Sequence, residues 1–202
     1  PLHEAKPFYQ QLLDALADSR QIRIAYDSLF EQQEISTLLS PYRVFFHRRS
    51  WYVVGRSSLH RAVRTFNVGR ILKAELLDSL YEIPPRFSLD RHFGDAWSMI
   101  REPGQRHHVV IRFQPLVARN VSEVNWHKTQ KTNWNDDGTL DFHVTVDGLG
   151  EIMWWILGYG QHAEVLRPTA LRERIQEQIE AMQKTYAGKP ANSGSQKQKQ
   201  KP

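Results

Sequence analysis

Between Ser40 and Arg70 the sequence alternates short apolar runs with polar turns, and this pattern limits the possible folds more than any other feature of the chain. The runs are rich in β-branched and aromatic residues: Val44–Phe46, Trp51–Val54 and Val63–Val68. Such runs are typical of β-strands, and the polar stretch His47–Ser50 is typical of a turn. Three short strands so close in sequence predict an antiparallel meander.

The same region carries an excess of positive charge. From Arg20 to Arg70 the sequence has nine Lys or Arg and three acidic residues, whereas the other 151 residues sum to about −1. Guanidinium groups pair with phosphates and aromatic rings stack on bases, so the mixture favours a surface for an oligonucleotide or a similar anion. For any single Arg or Trp, the simpler interpretation is a structural role, because a small barrel has aromatic side chains inside and charged side chains outside.

Two further strands are predicted before the meander. Gln21–Asp27 alternates polar and apolar residues, and Glu34–Leu39 begins the second strand. Five short, bent strands over residues 20–85 predict an SH3-like or Sm-like β-barrel. Trp51 and Tyr52 point to opposite sides of their strand, so one of them faces the core, and the pattern does not say which.

Three motifs resemble the WYL domain. They are SPYR at 40–43, WYV at 51–53 after a basic turn, and VRTFNVGRI at 63–71. Val53 stands where the family has its signature Leu. Gly69 stands where an Asp is usual before Arg70, and this second difference affects a local turn or salt bridge. The resemblance covers about residues 20–85, and the rest of the chain resembles the C-terminal extension domain that often follows a WYL domain.

The resemblance implies a ligand-sensing and dimerisation module of a bacterial transcription regulator. In some members the Sm-like barrel binds a nucleic acid or nucleotide, and the resemblance favours six positions for the ligand: Tyr42, His47, Trp51, Arg64, Phe66 and Arg70. It also implies a homodimer that ligand binding shifts between two arrangements. The alternative hypothesis is a constitutive Sm-like protein that binds RNA or single-stranded DNA and has no role in transcription.

The N-terminal 19 residues predict a linker helix. Four apolar residues recur there at the spacing of one helical face: Phe8, Leu12, Ala15 and Leu16. In the resembling family a helix at this place joins a helix-turn-helix DNA-binding domain to the barrel. Because the chain begins at Pro1 rather than Met, we expect a fragment, and we expect promoter DNA to be bound by that absent domain.

The second half of the chain has a different pattern. Residues 86–105 predict a short helix and a linker, which ends in a polar Pro-Gly turn. Residues 106–186 follow the order βαββαβα, which predicts a ferredoxin-like sandwich with an added terminal helix. In that helix Leu171, Ile175, Ile179 and Met182 share one face, which is explained either by a core within the domain or by an intermolecular seam.

The C-terminal residues 187–202 have no apolar side chain larger than Ala or Pro and a net charge of +4. This composition predicts a disordered basic tail, which is either a weak tether for nucleic acid or an incidental, vector-derived segment.

Composition limits location and chemistry. The 202 residues, 40% of them hydrophobic, suffice for one large or two small domains, and the absence of a membrane-length apolar run or a secretory signal predicts a cytoplasmic protein. With no cysteine, disulfides and thiolate chemistry are excluded. No metalloprotease, dinucleotide-binding or hydrolase motif is complete, so we expect no catalytic residue, no metal, no cofactor and no enzyme activity.

Overall fold

The computed structural model describes residues 2–102, 104 and 106–187, and the chain divides into two compact units. The first unit ends at Phe87 and the second begins at Ser88. The expected mixed α/β class is confirmed, with two antiparallel sheets and five α-helices in the described part. All but the first residue of the predicted basic tail lies outside the described residues. No described helix is both long enough and apolar enough to cross a membrane.

The first unit is a helix packed on a five-stranded sheet. Its elements are α1 (Leu2–Ala17), β1 (Arg20–Ser28), β2 (Gln33–His47), β3 (Ser50–Ser57), β4 (Ala62–Asn67), a 3-10 turn (Val68–Arg70) and β5 (Ile71–Leu80). Every pairing is antiparallel, and the strand order is β4-β3-β2-β1-β5. In the described residues the 3-10 turn links β4 to β5, but no ladder joins these two edge strands, so the sheet is not a closed barrel.

One face of this sheet, which we call the core face, packs on α1. Leu12 and Ala15 of the helix are fully buried there, together with apolar side chains from all five strands and the turn. On β1 the alternation is clean, since Ile22, Ile24 and Tyr26 are buried. We call the opposite side of the sheet the outer face.

A β-bulge in β2 changes which residues reach the outer face. Pro41 pairs with Gly55 and Arg43 pairs with Val54, so Tyr42 is an extra residue without a partner on β3. Before the bulge the odd-numbered residues Ile35, Thr37 and Leu39 face the core; after it, Val44 does. Arg43 therefore lies on the outer face.

The second unit is a four-stranded antiparallel sheet with helices. Its elements are α2 (Leu89–Phe93), β6 (Arg106–Phe113), α3 (Pro115–Ser122), β7 (Lys131–Trp134), β8 (Leu140–Asp147), α4 (Gly150–Leu157), a 3-10 turn (Gly160–His162), β9 (Ala163–Arg167) and α5 (Thr169–Ala187). The strand order is β7-β8-β6-β9. The helices and one face of the sheet enclose a core that contains Phe113, Phe142 and Leu171.

The segment before β6 belongs to the second unit. Trp97 is buried in its core and stacks on His127 with ring centroids 5.8 Å apart. Burial lowers the pKa of the His127 imidazole, whose Nε2 lies 3.2 Å from the carbonyl oxygen of Ala96. The carboxylate of Glu151, in the first turn of α4, accepts hydrogen bonds from three successive backbone N–H groups of residues 98–100, at 2.8 to 3.2 Å.

Candidate anion-binding surface

Two of the six predicted ligand-binding residues are buried. Phe66 is 3% exposed in the core of the first unit, with its ring edge-on to Tyr26 at a centroid distance of 5.0 Å. Tyr42 is 6% exposed and packs edge-on against Phe87 at 5.0 Å, so the segment after β5 covers the bulge. Their rings therefore support the sheet, and no flat face of either is open to a base.

The structure separates Trp51 from Tyr52. Trp51 lies on the core face, half-buried, with Tyr9 of α1 at 4.6 Å and Phe46 at 5.3 Å between ring centroids. Tyr52 lies on the outer face, where it stacks on Phe45 at 5.7 Å with an interplanar angle of 23°. The aromatic pair on the outer face is therefore Phe45 and Tyr52.

The other three predicted positions lie nearer to solvent. Arg64 is exposed on the edge strand β4, and its guanidinium donates a hydrogen bond to the carbonyl oxygen of Val63 at 3.2 Å. Arg70 ends the 3-10 turn and is half-buried, as is His47 at the last position of β2. The six positions therefore do not share one surface: Phe66 and Trp51 belong to the core face, whereas His47 follows the outer-face alternation of β2.

Arg43 and Arg56 form the basic part of the outer face. Arg43 pairs with Val54, and Arg56 lies two residues further along β3, so the two exposed guanidiniums emerge on the same side as the Phe45–Tyr52 stack. Reasoning from the sequence did not select these four residues. The signal that could have found them is the alternation of side chains between the two faces of β2 after Tyr42. Using this signal requires knowing that Tyr42 is the bulged residue.

Most of the arginines between positions 20 and 70 form no ion pair with a carboxylate of the described residues. Arg20 pairs with Asp78 at 2.7 Å and Arg23 pairs with Glu75 at 2.9 Å, both across β1 and β5. Within the described residues, none of the other seven arginines between positions 20 and 70 forms an ion pair: Arg43, Arg48, Arg49, Arg56, Arg61, Arg64 and Arg70. The positive charge is thus neutralised at one side of the sheet and left open along β2, β3 and β4.

Arg48 and Arg49 form the tip of the β2–β3 hairpin. Both have positive φ angles, 42° and 69°, as a two-residue type I′ turn requires. Asn and Gly are favoured there because a larger side chain is strained at positive φ, so an Arg-Arg turn is an unfavourable choice for stability alone. Both side chains are exposed at the end of the sheet.

A Ser-His-Glu arrangement in this unit is structural. Ser57 Oγ lies 2.8 Å from Nδ1 of His60, and Nε2 of the same ring lies 3.0 Å from Oε1 of Glu31. Ser57 is fully buried and its hydroxyl also contacts Thr37 at 2.8 Å, so no substrate reaches it as a nucleophile. The arrangement ties together the β1–β2 and β3–β4 turns.

Comparisons with family models identify both halves of the chain. Residues 7–76 match the WYL domain, and residues 105–183 match the WCX domain. Together the two matches take in most of the chain. No curated protein sequence is similar enough to count as a match.

Two solved structures are similar to the chain. Proteasome accessory factor B/C (PafBC) of Arthrobacter aurescens is 19% identical, with a TM-score of 0.39, over 92% of this chain and 28% of that protein. A protein described as CRISPR Cas-related is 12% identical, with a TM-score of 0.57, over 91% of this chain and 51% of that protein. The second likeness is one of fold, and the chain spans only part of either protein.

Proposed function

Because the chain belongs to the proteins in which a WYL domain is followed by a WCX domain, we propose that it is the sensing module of a transcription regulator of the bacterial cytoplasm. The module itself performs no catalysis. It binds an anionic ligand and passes that event to a DNA-binding domain elsewhere in the regulator.

The ligand in this proposal is a short single-stranded nucleic acid or a nucleotide. The observation that carries it is the set of seven arginines from β2 to the 3-10 turn that form no ion pair among the described residues. Arg43 and Arg56 offer guanidinium forks to phosphates, and Phe45 and Tyr52 offer an aromatic pair beside them. Arg64 pairs with Gly55 and follows the core-face alternation of β4, so in this proposal the nucleic-acid backbone reaches its exposed side chain around the edge of the sheet.

Signalling in this proposal requires a homodimer with two arrangements. A ligand shifts such an equilibrium only as far as its affinities for the two arrangements differ. An anion that pairs with open arginines satisfies this condition when the arginines are better placed in one arrangement than in the other. The antiparallel sheets support an Sm-like first unit and a ferredoxin-like second unit as the framework.

The test is titration of a fluorescent single-stranded oligonucleotide at several salt concentrations. Binding through phosphates predicts that log Kd rises linearly with log salt, by about 0.7 for each phosphate contact. We expect Arg43→Ala, Arg56→Ala and Arg64→Ala each to weaken binding by about 1–3 kcal/mol, because each removes a charge-assisted hydrogen bond. Mononucleotides in the same assay separate a nucleotide ligand from an oligonucleotide.

Arg174→Ala is the matched control, since Arg174 is an exposed arginine of α5 in the second unit. It removes the same charge without touching the candidate surface. Equal affinity of the wild type and the three first-unit variants would refute the surface. Tight binding that leaves the dimer unchanged would favour the constitutive single-strand-binding alternative.

A further inference from the structure

Helices α3, α4 and α5 all pack on one face of the sheet in the second unit. Their buried side chains share a core with Ile111 of β6 and with Phe142 and Val144 of β8. Because side chains alternate along a strand, His108 on β6 and His143 on β8 point to the opposite face. We call this opposite side of the second sheet the polar face.

A row of four residues crosses the polar face from one edge of the sheet to the other. Lys131 of β7 pairs with His143, His143 pairs with Val110 of β6, and Val110 pairs with Arg167 of β9. Directly paired residues point to the same face, and neighbouring strands lie about 4.8 Å apart, so the row spans about 14 Å. The row therefore has an exposed cation at each edge and an imidazole ring between them.

Two histidine rings stand together on the central strands of this face. The ring of His108 stacks on that of His143, with centroids 5.8 Å apart and an interplanar angle of 30°. Asn133 of β7 holds the second ring from the other side, since its Nδ2 lies 3.3 Å from Nε2 of His143. His108 is exposed, so the pair presents a flat ring surface to solvent.

The charges of the polar face leave it positive. Each carboxylate on its strands is paired with an arginine at 2.7 to 3.2 Å: Asp141 with Arg112, Glu164 with Arg172 and Asp147 with Arg101. Within the described part of the second unit, neither Lys131 nor Arg167 forms an ion pair. The face therefore combines neutralised acids, two open cations and two rings, and this combination suits an anion that has flat groups of its own.

We propose that the polar face binds single-stranded nucleic acid. The bases stack on the rings of His108 and His143. The phosphates pair with Lys131 and Arg167 at the two edges. Four-stranded sheets of the RNA-recognition motif hold two or three bases in a similar way, by stacking them on aromatic side chains. A protein partner fits this face less well, since Val110 is the one apolar residue of the row and is itself buried. This surface goes beyond the proposed function, which places the ligand on the first unit.

Titration of fluorescein-labelled oligodeoxythymidine with the full chain tests the stacking. We expect His108→Ala with His143→Ala to weaken binding by about tenfold. The paired change to Phe should keep the affinity within about threefold of wild type, because a phenyl ring also stacks on a base. Wild-type affinity in the Ala variant, or an equal loss in the Phe variant, would overturn the proposal. Oligouridine of the same length, in the same assay, shows whether DNA or RNA is the preferred strand.

The salt dependence of the same titration tests the phosphate contacts. Lys131→Gln and Arg167→Gln should each lower the slope of log Kd against log salt by about 0.7, the value for one phosphate contact of a single strand. The matched controls are Lys184→Gln and Arg174→Gln, which remove the same charges from exposed positions of α5 and should leave the slope unchanged. An unchanged slope in both variants of the polar face would overturn these contacts.

Photocrosslinking separates this surface from that of the first unit. An oligonucleotide that carries 5-iodouracil is irradiated with the full chain, and mass spectrometry of the digest locates the linked residue. We expect links in β6 or β8, at His108 or His143, and they should persist in a chain that carries Arg43→Ala and Arg56→Ala. Links confined to the first unit would overturn this inference and leave the proposed function standing. Links confined to β6 and β8 would support this inference and refute the surface on the first unit.

Discussion

The Nε2 atom of His60 lies 3.0 Å from Oε1 of Glu31, which joins two turns that are 29 residues apart in sequence. The other carboxylate oxygen of Glu31 accepts a hydrogen bond from the hydroxyl of Ser28. The hydrogen bond from His60, followed by the one from Ser28, lowers the pKa of Glu31 below its ordinary value. The ionised carboxylate is thus the form that the fold prefers.

The first prediction is a pH-dependent loss of stability in Glu31→Gln. A carboxyl group with a lowered pKa in the folded state stabilises above its unfolded pKa and loses that effect as the pH falls through the folded pKa. We expect Glu31→Gln to lower the free energy of unfolding by about 1 kcal/mol at pH 7, a small value because the side chain is partly exposed. Urea titrations from pH 7 to pH 3 should show the difference from wild type shrinking below the ordinary pKa of 4.5.

Glu34→Gln is the control for this series, because Glu34 is an exposed carboxylate on β2 of the same unit. It should change the stability little at any pH. A deficit in Glu31→Gln that stays constant down to pH 3 would contradict the role assigned to the ionised group.

The second prediction separates stability from binding at the hairpin tip. Replacing Arg48 and Arg49 by Asn and Gly relieves two strained positive φ angles, so the double variant should gain about 1 kcal/mol in unfolding free energy. The same change removes two exposed cations and should weaken oligonucleotide binding. Thermal unfolding and the fluorescence titration measure the two effects. A variant that is more stable and binds equally well would show that these arginines do not contact the ligand.

The third prediction concerns the close approach of β2 and β3 at the bulge. A Cβ atom on Gly55 would lie 2.3 Å from the backbone carbonyl oxygen of Ser40 and 2.9 Å from the Cα of Pro41. Neither strand can yield there without losing its register, so Gly55→Ala should destabilise the first unit by about 2–4 kcal/mol. Gly69→Ala is the control, since its nearest neighbour is a side-chain oxygen at 3.3 Å. Equal denaturation midpoints for the two variants would contradict the argument.

The fourth prediction concerns the backbone segment held by Glu151. Glu151→Ala removes the carboxylate that accepts from the backbone N–H groups of residues 98–100, two of them in partly buried hydrogen bonds, and should cost about 2–3 kcal/mol. Hydrogen exchange should speed up at these amides more than elsewhere in the second unit. Glu177→Ala, an exposed change on α5, should leave their protection intact. Unchanged exchange in Glu151→Ala would mean that the carboxylate does not hold the segment.

Local patterns in the sequence predicted much of the secondary structure. The alternation of Ile22, Ile24 and Tyr26 gave the correct buried face of β1, because side chains of a strand alternate strictly when no residue is inserted. The polar turn at Arg48 and Arg49 separated β2 from β3 as expected. These are near-neighbour effects, and a sequence displays them directly.

Long-range packing was beyond the same reasoning. The burial of Tyr42 depends on Phe87, which lies 45 residues away, and the place of Trp97 in the second core depends on His127. From the sequence, Tyr42 is predicted to be a ligand-binding position and Trp97 is placed in the linker of residues 86–105. Whether Arg64 and Arg70 bind a ligand stays a prediction. Which face of the sheet each arginine of β2 to β4 lies on depends on the register of the strand pairs, and that register cannot be read from the sequence alone.

The single extra residue at the bulge lies between two pairs that are consecutive on β3, since Pro41 pairs with Gly55 and Arg43 pairs with Val54. Deleting Tyr42 would therefore give a regular ladder and leave Arg43 and Phe45 on the outer face and Val44 on the core face. The deletion would instead remove the ring that packs against Phe87, and with it the attachment of the segment after β5. Homologous chains can thus lose the bulge without exchanging the faces of β2, whereas a deletion at a paired position of the strand would exchange them.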